Sequence, residues 1–226
     1  LSFLGMGVPQ PYASWGTLLN DGRAAGRVTP VVNGGNCVGL TSKPGRYDTT
    51  FIPDRKLRRQ WSERSPLVFL SQSGAFMLSR MSKLPQVEPL YAVSLGNQLD
   101  LTVSDYLAFL KDEPEARVFA VYMEGFKPAD GYLFAQSVAE VTGRGKNVLV
   151  YKSGRSAEGR AATSSHTASV AGDYAVCRAI LEQAGAIVAE DLFEFESFLK
   201  ALVFLDGRRV RGNRVGLLSN AGFECV

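Results

Sequence analysis

Residues 67–75 read LVFLSQSGA, an apolar run that passes through a Ser-x-Ser-Gly turn into a helical pattern. Similar runs recur, and they predict strands at Leu67–Leu70, Leu90–Ser94, Val118–Met123, Val148–Tyr151, Ala186–Ala189 and Val215–Ser219. Between them the periodicity predicts helices over Gly74–Lys83, Val103–Lys111, Gly131–Gly143, Tyr174–Ala184 and Leu192–Phe204, with Ser104, Asp105 and Asp173 as candidate caps. Strands that alternate with helices at this spacing need crossover connections, so we predict an α/β fold with a doubly wound, mainly parallel sheet.

The composition excludes several classes of protein. The 25 basic and 22 acidic residues leave a net charge of only +3, and the basic residues are scattered, so we expect no nucleic-acid partner. A single histidine and three widely spaced cysteines give no metal-binding pattern, so we expect no metal site and a reduced, cytoplasmic protein. No apolar run approaches the ~18 residues of a membrane span, so we expect no membrane contact. Because the chain lacks an initial Met and stops soon after a strand-like run, we expect it to be a piece of a longer protein.

Ligands of a doubly wound sheet bind at the carboxyl ends of its strands, and four motifs are predicted to lie there. The first is Ser71-Gln72-Ser73-Gly74, where serine hydroxyls and the N–H groups of a helix N-terminus would cradle a phosphate. Ordinary N-capping by Ser73 explains the same residues. The second motif is the turn at Gly96-Asn97, a pair that is also common in turns without any function.

The third motif places Glu124 after an otherwise apolar strand. Burying an unpaired carboxylate is costly, so a buried Glu124 needs a partner. An imidazole N–H is a natural one, because a carboxylate that holds one ring nitrogen leaves the other nitrogen free to attack. The alternative is a carboxylate that is simply exposed at the strand end.

The fourth motif is the run of small residues from Lys152 to Gly172, which contains His166, the only histidine of the chain. A neutral imidazole is a nucleophile near pH 7. Its neighbours suit an anion, because small side chains admit phosphate oxygens to the main chain and because donors and cations are close in sequence: Ser164, Ser165, Thr167, Lys152, Arg155 and Arg160. A lone histidine in a polar loop is also an ordinary surface residue, so the local run leaves both interpretations open.

The motifs SQSGA, SLGN, YMEG, KSGRS and SSHTASVAG follow one another between residues 71 and 172. In this order they resemble the NDP-forming acyl-CoA synthetases of the ADP-forming acetyl-CoA synthetase type, which are related to the succinyl-CoA synthetase alpha subunit. The runs QAGAI at 183–187 and VGLLSNAG at 215–222 extend the resemblance over roughly Pro66–Val226.

The resemblance implies a flavodoxin-like domain and a specific chemistry. In that family acyl-CoA and phosphate give an acyl phosphate and free CoA, a histidine takes the phosphoryl group, and an ATP-grasp domain or subunit with Mg²⁺ passes it to ADP. Coenzyme A would be a substrate, no cofactor would be bound permanently, and the protein would be an oligomer. The motifs carry these roles over to single residues: His166 would be phosphorylated, and Glu124 would orient it. The phosphate would contact Ser71, Ser73, Gly74, Ser165 and Thr167. The acyl-CoA would contact Gly96, Asn97 and Asn36.

The resemblance also implies three segments. Residues 1–65 would be the remnant of a preceding CoA-binding domain with a linker, residues 66–207 the domain with the histidine loop, and residues 208–226 the truncated start of a second flavodoxin-like domain.

Some residues depart from the pattern of the family. The first segment is too short for a CoA-binding domain and contains no GxGxxG, and its GGNCVGL run at 34–40 has Gly35 where proline is usual. Ala168 also stands where glycine is common.

Two alternatives remain open at this stage. A related protein of the same architecture would transfer another group, such as carbamoyl, through His166 with a different pocket at Gly96-Asn97. A non-catalytic module of the same fold would only bind CoA or phosphate, because a fold alone does not determine function.

Overall fold

A seven-stranded sheet organises the part of the chain that the structure, a computed structural model, describes. The described residues are 31–53, 55–57, 65–156, 158–159, 173–208, 212–214, 216 and 218–222. The order across the sheet is β2-β1-β4-β3-β5-β6-β7. The pairings from β4 to β7 are parallel, whereas β1 is antiparallel to both β2 and β4. In chain order the strands are β1 (Leu40–Ser42), β2 (Tyr47–Asp48), β3 (Leu67–Ser71), β4 (Tyr91–Ser94), β5 (Val118–Met123), β6 (Asn147–Lys152) and β7 (Ile187–Val188).

The two central strands explain why the sequence reads as continuous apolar runs. Every residue of β3 is buried, and so is every residue of β5 except Tyr122, which is half-buried. Strands that are covered on both faces do not alternate between polar and apolar residues. The runs are therefore typical of a parallel sheet with helices on each side.

Five helices of the described residues supply that cover: α1 (Gly74–Lys83), α2 (Val103–Leu110), α3 (Asp130–Gly143), α4 (Tyr174–Gln183) and α5 (Leu192–Phe204). Helices α1 and α5 pack on one face, where Phe69, Met77 and Phe195 lie in the core. Helices α2, α3 and α4 pack on the other, which includes Phe134 and Leu181. The parallel strands, numbered along the chain, have the flavodoxin-like order 2-1-3-4-5, so the predicted fold is confirmed. None of the described helices has the length and apolar character of a membrane span.

The predicted helices agree with the structure to within one residue at each end, and α1 and α5 agree at both ends. Asp173 caps α4 as predicted, because its Oδ1 accepts the N–H groups of Ala175 (2.8 Å) and Val176 (3.2 Å). The cap of α2 is Thr102 rather than Ser104, and Asp105 completes a capping box with it.

The sequence analysis missed β1 and β2 and lengthened β7, which has only two residues. Strands β1 and β2 are short and lack an apolar alternation, so pairing rather than side-chain pattern defines them; Leu40 of β1, for example, pairs with Val93 of β4. Of the predicted strand Val215–Ser219, the structure describes only residues 216, 218 and 219, and these are not in a strand. The division into three segments stays a prediction.

A buried ion pair joins the two helices of one face. Glu196 of α5 is 7% exposed and is bonded to Arg80 and Lys83 of α1, the latter at 2.8 Å. Because a buried carboxylate is costly without a partner, these contacts fix how α1 lies against α5. They thereby fix where the N-terminus of α1 meets the edge of the sheet.

Candidate functional site

The carboxyl ends of four neighbouring parallel strands lie side by side and form one border of the sheet, its carboxyl edge. The predicted motifs follow these strand ends. Hydrogen bonds continue beyond the strands themselves. The Leu95 N–H donates to the main-chain oxygen of Ser71 (2.8 Å), and the Ser153 N–H donates to that of Met123 (2.9 Å). The loops after β4, β3, β5 and β6 are therefore adjacent.

Ser71 and Ser73 both have structural roles in the loop after β3. The Ser73 hydroxyl accepts the Phe76 N–H (3.2 Å) and caps α1, which is the alternative that the sequence left open. The Ser71 hydroxyl is buried and donates to the main-chain oxygen of Ser73 (2.6 Å). Helix α1 begins at Gly74, so the positive end of its dipole faces this edge. Phosphate binding by these residues stays a prediction.

Gly74 is required by close packing. A Cβ at this position would lie 1.9 Å from Cγ2 of Val38, far inside any contact distance. The Val38 N–H donates to Oγ of Ser94 (3.1 Å), so the segment 32–39 lies across the start of α1 and the end of β4. This approach is sufficient to explain the glycine, whether or not a phosphate binds beside it.

The segment 32–39 also brings together the residues predicted to contact acyl-CoA. The Asn97 N–H donates to the main-chain oxygen of Gly35 (2.8 Å). Gly96 has a φ of +55°, and a Cβ there would lie 2.0 Å from that same oxygen, so glycine is needed on both counts. Asn36 is the next residue along the chain and is exposed. Oδ1 of Asn97 is buried without a hydrogen-bond partner among the described residues.

Glu124 is half-buried at the end of β5, and its main chain is held from two sides. Oε1 of Gln72 accepts the N–H groups of Glu124 (2.8 Å) and Gly125 (3.1 Å). Nζ of Lys152 donates to the main-chain oxygen of Glu124 (2.9 Å). These bonds fix the main chain at the strand end, and the role of the Glu124 carboxylate stays a prediction.

Lys152 places its charge inside the protein. Its side chain is 4% exposed, and Nζ also donates to the main-chain oxygen of Ser153 (2.8 Å). Burial lowers the pKa of Lys152. Arg155 is exposed and forms an ion pair with Glu190 (3.6 Å). Two of the cations that the sequence suggested around a phosphate are therefore engaged with protein groups.

His166, Ser165 and Thr167 lie outside the described residues, and so does Arg160. The connection that contains them leaves the sheet after Lys152, the last residue of β6, and returns at Asp173, the N-cap of α4. Both anchor points are at the carboxyl edge, because β6 ends there and α4 begins there. The topology therefore joins the histidine loop to the edge that carries Glu124.

Two buried glutamines escaped the sequence analysis. Gln72 holds the Glu124 loop, and Gln98 connects that loop to α2: its Nε2 donates to the main-chain oxygen of Gly125 (3.4 Å) and its Oε1 accepts the Val103 N–H (2.9 Å). The available signal was a long amide side chain inside each of two strand-end motifs. The Glu124 loop that both glutamines bond to, however, is distant in sequence.

A cavity of about 450 Å³ lies at the opposite, amino edge of the sheet. None of the predicted site residues that the structure describes lines it. Its lining includes Arg117, Asn147, Leu205 and Asp206, and an ion pair of 2.7 Å joins Arg117 to Asp206. The cavity is thus separate from the strand-end motifs.

Asp130, at the start of α3, is a buried carboxyl group that should make the stability of the fold depend on pH. It is 3% exposed; Oδ1 accepts the Thr102 hydroxyl (2.8 Å), whereas Oδ2 has no hydrogen-bond partner among the described residues. Burial raises the pKa of Asp130, and the Asp105 carboxylate raises it further. Hydrogen bonds from the Ser104 and Thr102 hydroxyls lower it, but the net effect is a raised pKa. A raised carboxyl pKa contributes stability at low pH that is lost as pH rises through the folded-state pKa.

We therefore expect Asp130→Asn to raise the free energy of unfolding at pH 7 by on the order of 1 kcal/mol, because the amide keeps an acceptor for the Thr102 hydroxyl and removes the buried negative charge. This gain should shrink as pH falls, because the wild-type carboxyl is then protonated as well. Urea unfolding at several pH values measures both quantities. A gain that grows toward low pH would contradict the prediction.

Comparison with known proteins extends the geometric description. Residues 64–202 match the family described as succinyl-CoA ligase like flavodoxin domain. The chain is 39% identical over 194 residues to acetate–CoA ligase [ADP-forming] I of Archaeoglobus fulgidus, a match that covers 84% of this chain and 26% of that protein. It is 33% identical over 191 residues to acetate–CoA ligase [ADP-forming] II subunit alpha of Pyrococcus furiosus, covering 84% of this chain and 39% of that subunit.

A solved structure is also similar. It is a dinucleotide-forming acetyl-coenzyme A synthetase of Ca. Korarchaeum cryptofilum in complex with phosphate and ADP, with a TM-score of 0.69 and 31% sequence identity. The match covers 82% of this chain and 38% of that one. The chain thus spans well under half the length of each of these proteins.

Proposed function

The chain belongs to the succinyl-CoA ligase like flavodoxin domain family, and on that basis we propose that it is part of an NDP-forming acyl-CoA synthetase. Such an enzyme interconverts acyl-CoA, phosphate and ADP with acid, CoA and ATP. The proposal rests mainly on one observation, which is that the motifs lie together at the carboxyl edge of the sheet. The N-terminus of α1, the Glu124 loop and both anchors of the histidine loop lie at the carboxyl ends of adjacent strands.

The proposed chemistry has two steps on this chain. A phosphate oxygen attacks the thioester carbonyl, the C–S bond breaks, and CoA leaves as the thiol or thiolate, which gives an acyl phosphate. A ring nitrogen of His166 then attacks phosphorus, the bond between phosphorus and the acyl oxygen breaks, and the carboxylate leaves. The product is an acid and a phosphohistidine. Phosphoryl transfer of this kind depends mainly on positioning and on neutralisation of charge.

The edge offers groups suited to these needs. The positive end of α1 begins at Gly74 and would attract the phosphate. Glu124 would hold one ring nitrogen of His166, which keeps the other nitrogen unprotonated and aimed at phosphorus. The buried Oδ1 of Asn97, which accepts no described hydrogen bond, would accept one from the acyl-CoA, with Gly96 and Asn36 beside it.

The final step needs a partner. We propose that an ATP-grasp domain or subunit holds ADP with Mg²⁺ and takes the phosphoryl group from His166. The described residues contain no group of three or more His, Cys, Asp or Glu side chains that could hold a metal ion, which is compatible with a metal held by the partner. The Pyrococcus relative is named a subunit alpha, which supports a partner in a separate subunit. We also propose an oligomeric assembly and a cytoplasmic location.

Labelling of the full-length protein tests this function. Radiolabelled phosphate with acyl-CoA, or radiolabelled acyl phosphate alone, should give acid-labile, base-stable label on the protein, and ADP with the ATP-grasp partner should remove it as ATP. Label obtained only from carbamoyl phosphate would favour the carbamoyl alternative. No label from acyl phosphate, carbamoyl phosphate or ATP would overturn the proposal in favour of a non-catalytic module.

A further inference from the structure

We propose that Tyr122 is a positioning residue for Glu124: its phenol holds the carboxylate in the place from which it orients His166. The inference rests on the proposed function, because it assumes that Glu124 acts on the histidine. It assigns a role to a residue of the YMEG motif that lies in β5, two positions before Glu124, and that had no role in the sequence analysis.

The main chain at Glu124 is already fixed without Tyr122. Its N–H is held by Oε1 of Gln72 from the loop after β3, and its carbonyl oxygen by Nζ of Lys152 from the end of β6. Both side chains are 4% exposed, so water competes little for these bonds. The place of the carboxylate depends in addition on the side-chain torsions of Glu124 and on the groups that contact its oxygens.

Tyr122 contacts that carboxylate. Its hydroxyl donates to Oε1 of Glu124 at 3.4 Å, which is long for an O–H···O hydrogen bond. Burial raises the pKa of Tyr122 to about 12, and the charge of Glu124 contributes, so the phenol remains a donor at neutral pH. The charge on the acceptor strengthens the contact, so it favours carboxylate positions close to the phenol.

The ring of Tyr122 is itself held in place. It stacks on Phe76 with ring centroids 4.1 Å apart and planes 16° apart, and Tyr151 packs beside it at 5.8 Å. Phe76 belongs to the first turn of α1, and its N–H is bonded to the capping hydroxyl of Ser73. The carboxylate position is thus tied through one aromatic stack to the helix terminus where the phosphate is proposed to bind.

The test compares Tyr122→Phe with Tyr151→Phe in the full-length protein, with any ATP-grasp partner present. Both changes remove one hydroxyl from the same aromatic cluster, but the hydroxyl that donates to the Glu124 carboxylate is that of Tyr122. We expect Tyr122→Phe to slow phosphorylation by acyl phosphate about tenfold, as loss of a hydrogen bond to a charged group would. The concentration of acyl phosphate for half-maximal rate should not change, and Tyr151→Phe should stay close to wild type.

Equal rates for the two variants, or a loss confined to the half-maximal concentration, would overturn the positioning role. Unfolding midpoints of both variants show whether either one is destabilised.

A readout that needs no activity is the carbon-13 resonance of tyrosine Cζ. The resonance of Tyr122 is the one that is absent in Tyr122→Phe. It should move in Glu124→Gln while that of Tyr151 stays, and a stationary Tyr122 resonance would overturn the contact itself.

The two proposals fail in different ways. A wild-type protein that takes no label overturns the proposed function and this role together, whatever the resonance of Tyr122 does. A labelled wild type with equal rates for Tyr122→Phe and Tyr151→Phe overturns only the role of Tyr122.

Discussion

His166→Ala should abolish the acid-labile label that full-length wild-type protein takes from acyl phosphate. His166 is the only histidine of this chain, and its loop is anchored at Lys152 and Asp173, on the same edge as Glu124. Alanine has no nucleophile, so no phosphoryl-protein can form at this position and the rate should fall below detection. The measurement is label per mole of protein under conditions that preserve phosphohistidine.

The control for His166→Ala is chemical rescue. Free imidazole can take the place of the missing ring, so it should restore turnover of acyl phosphate in the variant without restoring label on the protein. Circular dichroism and the unfolding midpoint should match wild type, which would show that the loss is chemical. Undiminished label on His166→Ala would place the acceptor elsewhere in the full-length protein and would refute the phosphohistidine assigned here.

The fold was predictable because its signals are local. The apolar run Val118–Met123 is a strand with the predicted bounds, and Asp173 marks the start of a helix by its own cap. Strand β1 had no such signal, because it is defined by pairing with β4, a segment far away in the sequence. Local periodicity therefore identified the parallel sheet and missed the antiparallel extension at its margin.

The candidate site was predictable only in part, for the same reason. Glu124 could be singled out because a carboxylate after an apolar strand is unusual, but its support by Gln72 spans 52 positions of sequence. Gly74 shows another limit of sequence reasoning. The sequence predicted a phosphate cradle at the helix N-terminus that begins there, which stays a prediction, but it could not reveal the close approach of the Val38 methyl group.

Glu124→Gln should slow phosphorylation of the full-length protein by on the order of 10²–10⁴-fold, the range found when a group that orients a catalytic imidazole is removed. Glutamine keeps the volume and the main-chain bonds to Gln72 and Lys152, so the position should survive while the charge is lost. A neutral amide no longer stabilises the positive charge that develops on the ring during attack. The rate constant of a single turnover measures the effect, and some label should remain, in contrast to His166→Ala.

The matched control is Glu190→Gln, which removes one negative charge from the turn between β7 and α5 at the same edge. Glu190 is exposed and paired with Arg178 (2.6 Å), and the proposed chemistry does not use it. If Glu124 acts only through the general electrostatic field of the edge, the two variants should be slowed alike. If it acts by holding the histidine, the phosphorylation rate of Glu190→Gln should stay within a few fold of wild type, while that of Glu124→Gln should fall by on the order of 10²–10⁴-fold. Equal losses would therefore remove Glu124 from the mechanism even if His166 proves to be the phosphorylated residue.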